Sequence, residues 1–266
     1  MGRYDQNAKV YTKWLKGGRG QGRLENYKPW LQVYNVPSSG RSSRPWSAKI
    51  GRVVHCMSDL ELSTFLLLEW SEAVVDIREQ FPLDLTTTLQ IAKTLGFRHP
   101  AVRGENIVMT TDFLVSMSSS THPLLALQVK PSGELDKLRV REKLAIEEQY
   151  WKDLNVPFQI VTEHSHDQIK VENIKWFASC FSKLTSLEVL EQLADWWSPI
   201  MEQKGSMRLI QLCTDIDVQL NQEPGTSLGQ IRLLCSKKVA QFDLSIPFFD
   251  ILAGDIGFRK ISGTKG

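Results

Sequence analysis

Val108-Met109-Thr110-Thr111-Asp112-Phe113-Leu114-Val115 and Leu124-Leu125-Ala126-Leu127-Gln128-Val129-Lys130 are the stretches whose reading decides the fold. Both are rich in strand-forming residues, and Pro131-Ser132-Gly133 ends the second, so together they read as a hairpin. Side chains alternate along a strand, which puts Gln128 and Lys130 on one face and Leu127 and Val129 on the other. A polar pair therefore projects from an otherwise apolar strand.

Upstream, Ser58-Asp59-Leu60-Glu61 opens a helix predicted to run from Ser58 to Trp70, with Leu62, Phe65, Leu66 and Glu69 along one side. Val74 to Leu83 reads as a strand. The order acid, then Asp, then X-Val-Lys is the ground plan of a metal-dependent nuclease. Hydrolysing a phosphodiester needs carboxylates to hold a divalent ion, a water activated by that ion, and a cation near the charged transition state. Glu61, Asp112 and Lys130 are the residue types that chemistry requires. Restriction-type nucleases commonly carry a second acid at the position of Gln128; an amide oxygen can ligate Mg²⁺, but without a negative charge. Each residue also has a structural reading. Ser58 and Glu61 match a capping box, Asp112 can cap a turn, and Lys130 can be surface charge.

Downstream, a helix predicted over Glu134 to Asn155 and a strand over Val156 to Thr162 make a βαβ crossover, which expects parallel strands and a right-handed connection. Val140, Leu144, Trp151 and Leu154 share one helical stripe with Glu147 in its middle. A carboxylate facing a sheet is costly unless paired. Glu147 thus either approaches the ion site and Lys130 or reaches water at the edge of the stripe. Glu69, Glu72 and Glu79, at helix ends and strand edges, are expected to be solvated. After residue 167 helical patterns take over: Val171 to Leu184, Leu187 to Lys204, Leu209 to Gln219 and Ser227 to Cys235, then a β-like Val239 to Leu244. Helices followed by a small hairpin fit a winged-helix domain. Its best recognition-helix candidate has only Arg232 before Lys237 and Lys238, so protein docking fits as well as DNA contact. Trp196-Trp197 reads as packing.

The 266 residues, 42% of them apolar, suffice for one large or two ordinary domains with a real core. The net charge of +2 hides an asymmetry: residues 1 to 52 hold eleven of the 32 Lys and Arg but only Asp5 and Glu25 of the 30 acids. Lys13, Lys16, Arg19, Arg23, Lys28 and Arg41, with Tyr11, Trp14, Tyr27 and Trp30 among them, suit phosphate contact and base stacking; the alternative is a solvated terminus. The expected organisation is a basic arm over 1–50, a catalytic domain over 51–166 and a C-terminal domain over 167–266. The Gly17-to-Gly22 and Pro37-to-Ser43 runs lack the ending of a phosphate-binding loop, so the first implies flexibility or close approach to backbone. No apolar run approaches a membrane span and the polar start has no signal-peptide core, so an intracellular protein is expected, with Cys56, Cys180, Cys213 and Cys235 as reduced structural thiols. His164-Ser165-His166-Asp167 reads as an exposed loop rather than a zinc site.

Longer motifs narrow the reading. Gly18-Arg19-Gly20-Gln21-Gly22, Val36-Pro37-Ser38-Ser39-Gly40-Arg41-Ser42, Ser58-Asp59-Leu60-Glu61-Leu62, Asp76-Ile77-Arg78-Glu79-Gln80-Phe81-Pro82-Leu83, Thr111-Asp112-Phe113-Leu114 and Gln128-Val129-Lys130-Pro131 together resemble the TnsA family, endonuclease subunits of heteromeric cut-and-paste transposases. The resemblance continues more loosely into Glu172-Asn173-Ile174 and stops near Ser245. It implies an α/β chain, with a restriction-endonuclease-like domain and then a winged-helix domain. It implies catalysis by Glu61, Asp112 and Lys130, with Gln128 part of the family pattern. Two Mg²⁺ ions, or Mn²⁺ in their place, would be held by Glu61, Asp112, Gln128 and the Val129 carbonyl. The substrate would be double-stranded DNA at the 5′ ends of a mobile element. A TnsB-like transposase would cut the 3′ ends and a TnsC-like AAA+ ATPase would gate the reaction, in the bacterial cytoplasm at the nucleoid. A stand-alone repair or restriction nuclease and a non-catalytic DNA-binding scaffold are the competing readings.

Overall fold

The computed structural model describes residues 8–35, 41–118 and 123–259; Val36 to Gly40 of the proline- and serine-rich run lie outside them. The chain divides into two compact units, Met1–His166 and Asp167–Gly266. The first contains α1 (Ala8–Lys16), β1 (Trp46–Ser47), β2 (Arg52–Val53), α2 (Asp59–Trp70), β3 (Val74–Pro82), α3 (Leu85–Leu95), β4 (Ala101–Val102), β5 (Glu105–Asn106), β6 (Thr110–Met117), β7 (Leu124–Val129), α4 (Leu138–Asp153) and β8 (Phe158–Val161). The second contains α5 (Gln168–Ala178), α6 (Leu187–Gln203), α7 (Leu209–Gln219), α8 (Thr226–Ser236), β9 (Ala240–Gln241) and β10 (Gly257–Phe258).

A mixed four-stranded sheet in the order β3-β6-β7-β8 organises the first unit. The hairpin expected from the opening stretches forms, with Phe113 opposite Leu127 and Ser116 opposite Leu124. β8 runs parallel to β7, as it must once a helix carries the chain back between them. The return begins later than expected: Ser132–Glu134 is a 3₁₀ turn and α4 starts at Leu138. There the Glu163 carboxylate accepts from both the backbone N–H and the hydroxyl of Ser132, tying the start of the crossover to its end.

α3 has no counterpart in the sequence reading. Thr86-Thr87-Thr88 carries β-branched residues of weak helix propensity, which masks it. Its ends are nonetheless well specified: Asp84 caps the Thr87 N–H at 2.8 Å, and Gly96 stops the helix in the left-handed region at φ +71°. α3 and α4 pack together, and Ile91, Ala92, Ile146 and Trp151 bury against Leu83, Met109, Leu114 and Ala126.

The N-terminal segment is built into this unit. Tyr11 and Trp14 pack on Trp30, which is 1% exposed, and the Tyr27 hydroxyl donates to the Glu79 carbonyl at 3.1 Å. Tyr27 and Trp30 are core residues, which corrects their reading as stacking platforms for bases. The glycine run is a fitted turn. A Cβ on Gly20 would lie 2.3 Å from Pro82 Cγ, and one on Gly22 would lie 2.4 Å from the Asn26 carbonyl.

Two of the acids expected in solvent are buried instead. Glu79 is fully enclosed and takes both guanidinium nitrogens of Arg52 at 2.7 and 2.8 Å. Glu69 accepts from the Ser47 hydroxyl at 2.5 Å and the Lys49 N–H at 3.0 Å. Both bind the β1–β2 ribbon to the rest of the unit, a long-range role that helix and strand periodicity does not reveal.

In the second unit α5 ends at Ala178, before Leu184, which is fully exposed. β9 pairs with β10 over two residues each, antiparallel. Residues 246–259, left without a role by the sequence reading, belong to this unit. Asn173 donates to the Leu244 and Ile246 carbonyls and accepts from the Phe248 N–H, all at 2.8 Å, and Ile251, Ala253 and Ile256 are buried. On α8, Arg232 is spent internally on the Trp176 carbonyl and the Ser179 hydroxyl. Trp197 is buried and donates to Gln230, while Trp196 stands edge-on to it and is partly exposed. All four cysteines are buried free thiols; burial pushes Cys213 and Cys235 up to about 12. Among the described residues no helix is long and apolar enough to cross a membrane.

Candidate active site

A cavity of about 310 Å³ in the first unit collects Glu61, Asp112, Gln128, Lys130 and Glu147 on its walls. Four elements supply them: the first turn of α2, the start of β6, the end of β7 with the residue after it, and the middle of α4.

Asp112 is the best-held member. Its Oδ1 accepts from Gln80 Nε2 at 3.1 Å, and its Oδ2 from the Val129 N–H at 2.8 Å and from Lys130 Nζ at 3.4 Å. The Asp112 N–H donates to Gln128 Oε1 at 3.0 Å. Lys130 Nζ also donates to the Val129 carbonyl at 2.9 Å, so the ammonium stands between two oxygens of the site. Glu61 is fixed at the helix start: its carboxylate accepts from the Met57 N–H at 2.8 Å and the Ser58 hydroxyl at 3.2 Å, while Ser58 accepts from the Glu61 N–H. The capping role foreseen for Glu61 is therefore real, and it is met in the same place as the cavity wall.

The electrostatics are those of crowded acids. Burial, and then the charge of Asp112, raise Glu61 to about 8. Burial raises Glu147 to about 8 as well, against the pull of Thr111, whose hydroxyl donates to it at 2.5 Å. Trp151 Nε1 donates to the same Thr111 oxygen at 2.8 Å. Glu147 thus lies inside the cavity wall and does not reach water. For Lys130, Asp112, Glu147 and Glu61 outweigh the effect of burial and hold the ammonium above its ordinary pKa.

The donor set suits a hard cation in part. A buried carboxylate held protonated by burial and by a second carboxylate beside it is what a divalent ion relieves. Among the described residues, however, no three His, Cys, Asp or Glu side chains gather tightly enough to chelate an ion unaided. Gln128 and the Val129 carbonyl would have to complete the set, and both oxygens already accept from the protein.

Gln80 escaped the sequence reading. It sits in β3 with φ +48°, a left-handed conformation rare for a side-chain-bearing residue, between the pairs Glu79↔Phe113 and Phe81↔Thr111 that leave it opposite Asp112. Its amide oxygen accepts from the Thr110 hydroxyl at 3.1 Å while its nitrogen holds Asp112. Strand periodicity carries no trace of that backbone twist. The basic residues proposed for DNA divide. Lys13, Lys16 and Arg41 are exposed, whereas Arg19 lies over Trp14 and bonds the Trp30 carbonyl, Arg23 bonds Asp76 and Ser116, and Lys28 bonds the Gly17 carbonyl.

Comparison with known proteins identifies the family. The model for the TnsA-like endonuclease N terminal domain matches residues 71–163, a span holding Asp112, Gln128, Lys130 and Glu147, and that for the TnsA endonuclease C terminal domain matches residues 167–244. The Escherichia coli protein named Transposon Tn7 transposition protein TnsA is 43% identical over 230 residues, covering 86% of this chain and 84% of that one. A buried Asp–Lys–Glu cavity on a mixed sheet, matches over both units and identity of this extent lead to one conclusion: the chain belongs to the TnsA family of endonucleases.

Proposed function

We propose that this endonuclease makes Mg²⁺-dependent cuts in double-stranded DNA at the 5′ ends of a mobile element, acting with a TnsB-like transposase and a TnsC-like AAA+ ATPase. The observation that carries the reading is the meeting of Glu61, Asp112, Gln128 and Lys130 around one cavity in a chain of this family. The first unit is read as restriction-endonuclease-like and the second as winged-helix, its hairpin being the short β9–β10 pair.

Bound divalent ions, two in this reading, would neutralise phosphate charge and make water acidic enough to attack. Glu61 and Asp112 would hold them, with Gln128 and the Val129 carbonyl. The chain's own work is positional. Gln80 and the Val129 N–H fix both oxygens of Asp112, Ser58 and the Met57 N–H fix Glu61, and Lys130 offers the charge that a five-coordinate phosphorus requires. Lys13, Lys16 and Arg41 remain as outlying DNA contacts.

The test is strand-specific cleavage of a supercoiled plasmid carrying the element's ends, with Mg²⁺, ATP and both purified partners, comparing the native chain with Asp112→Ala. The expected result is 5′-strand cutting by the native chain only when both partners are present, reduced at least ~10³-fold in the variant. Native cutting without partners would favour a stand-alone nuclease. Intact 3′ cutting with no 5′ cutting by either protein would make the chain a scaffold.

A further inference from the structure

A second cavity, of about 460 Å³, adjoins the catalytic one and shares Pro100, Ile107 and Lys143 with it. The two differ in charge. The inner cavity carries three acids, Glu61, Asp112 and Glu147, whereas the outer one is lined by Arg98, Arg139 and Lys143 and by no acid. Arg139, Lys143 and Glu147 follow one another at intervals of four residues along α4, so one stripe of that helix passes from cation to cation to acid as it enters the site. Arg98 arrives from the other side, just after Gly96 turns the chain out of α3.

We propose that Arg98, Arg139 and Lys143 form a phosphate-binding groove that holds the DNA strand beside the bond to be cut. Neither Arg98 nor Lys143 has a carboxylate or hydrogen-bond partner among the described residues. Lys143 has like charges for company, Arg139 and Lys130. Arg139 has a single charged partner among the described residues, Glu142 at 2.7 Å, three residues along the same helix and partly exposed, so that the tether is a weak one. Cations at i,i+4 repel one another and weaken the helix, a cost that an anion between them removes. His99 gives the groove shape and no charge: its ring bridges the Thr88 hydroxyl and the Pro100 carbonyl, and burial lowers its pKa. With cations and aliphatic walls the groove recognises backbone phosphate and no base. The inner acids would repel that phosphate; the outer cations keep the strand at the rim.

This inference rests on the inner cavity being the catalytic centre, so binding and cutting are measured separately. Binding is read without divalent metal from the salt dependence of affinity for a labelled duplex of ~30 base pairs, starting at ~20 mM NaCl. Arg98→Gln, Arg139→Gln and Lys143→Gln are combined, and a control combines Lys93→Gln, Lys152→Gln and Lys183→Gln, which removes equal charge elsewhere. The groove triple should lose at least ~10-fold in affinity and about 2 to 3 from the slope of log K against log salt, with unchanged melting temperature and control behaviour like the native chain. Equal losses in both triples, no loss in the groove triple, or a native chain that does not bind at the lowest salt would each overturn the groove. Cleavage by Asp112→Ala distinguishes the other failure. A groove triple that loses its slope while Asp112→Ala still cuts would keep the phosphate groove and move the chemistry elsewhere.

Discussion

Arg19, Arg23 and Arg52, near the amino end, and Arg98, Arg139 and Lys143, at the cavity rim, are the same kinds of side chain in opposite circumstances. Most of the first set is consumed by folding: Arg52 is locked to Glu79 and the Ile77 carbonyl and Arg19 to Trp14, the Trp30 carbonyl and Asn35, while Arg23, its side chain 65% exposed, only reaches Asp76 at 3.4 Å. In the second set two of the three have no anion among the described residues, and the third has a neighbour on its own helix turn. The denser cluster in the sequence is thus the less available one. Charge marks a nucleic-acid surface only after the intramolecular partners have been subtracted.

That contrast can be broken by measurement. The largest effect belongs to the buried pair. Arg52→Ala leaves Glu79 charged and enclosed and should lower unfolding free energy by about 3–5 kcal/mol in urea denaturation; a loss under ~1 kcal/mol would mean the N-terminal cations are not structural.

A smaller effect is pH-dependent. Burial, then Arg44, Arg52 and Arg19, lower His55 to about 4, and its Nδ1 accepts from the Val33 N–H. Above its unfolded pKa of about 6.5 both states are neutral and stability is complete; as pH falls the unfolded chain takes the proton first, so stability is lost down to about 4. Between roughly pH 7 and 5 the native chain should lose about 1–2 kcal/mol more than His55→Asn. Equal losses would show that the ring is not held neutral.

The smallest effects should separate the two regions most cleanly. Arg19→Ala is expected to cost about 1–2 kcal/mol through its lost hydrogen bonds and its ring contact. Lys143→Ala and Arg98→Ala should stay within ~0.5 kcal/mol of the native chain. A Lys143→Ala protein as destabilised as Arg19→Ala would erase the distinction.

Much of the site was legible because its signals are local. Thr111-Asp112-Phe113 and Gln128-Val129-Lys130 lie on strands whose alternation is plain, and Ser58 with Glu61 marks a helix start that recurs in the structure. Glu147 stood out as an acid in an apolar stripe with two open outcomes, and the fold buries it instead of letting it reach water. The missing parts depend on partners distant in sequence. Gln80 reaches Asp112 across 32 positions and Arg52 reaches Glu79 across 27, and neither pairing leaves a periodic trace. α3 was hidden by its threonines, and without it the rim residue Arg98 has no address.

The amino-acid sequence by itself determined the hairpin, the parallel return through α4, the order Glu61, Asp112, Lys130 and the family, since periodicity, caps and motif spacing act over a few residues. Tertiary structure alone decided which charges are spent and which are open, because an arginine's role depends on whether a carboxylate or carbonyl from another part of the chain meets it. It turned Tyr27 and Trp30 into core and buried Glu69 and Glu79, and it set Arg98 beside Arg139 and Lys143. The physical reason is desolvation: removing a polar group from water is tolerable only where a partner waits, and the identity of that partner is set by the fold.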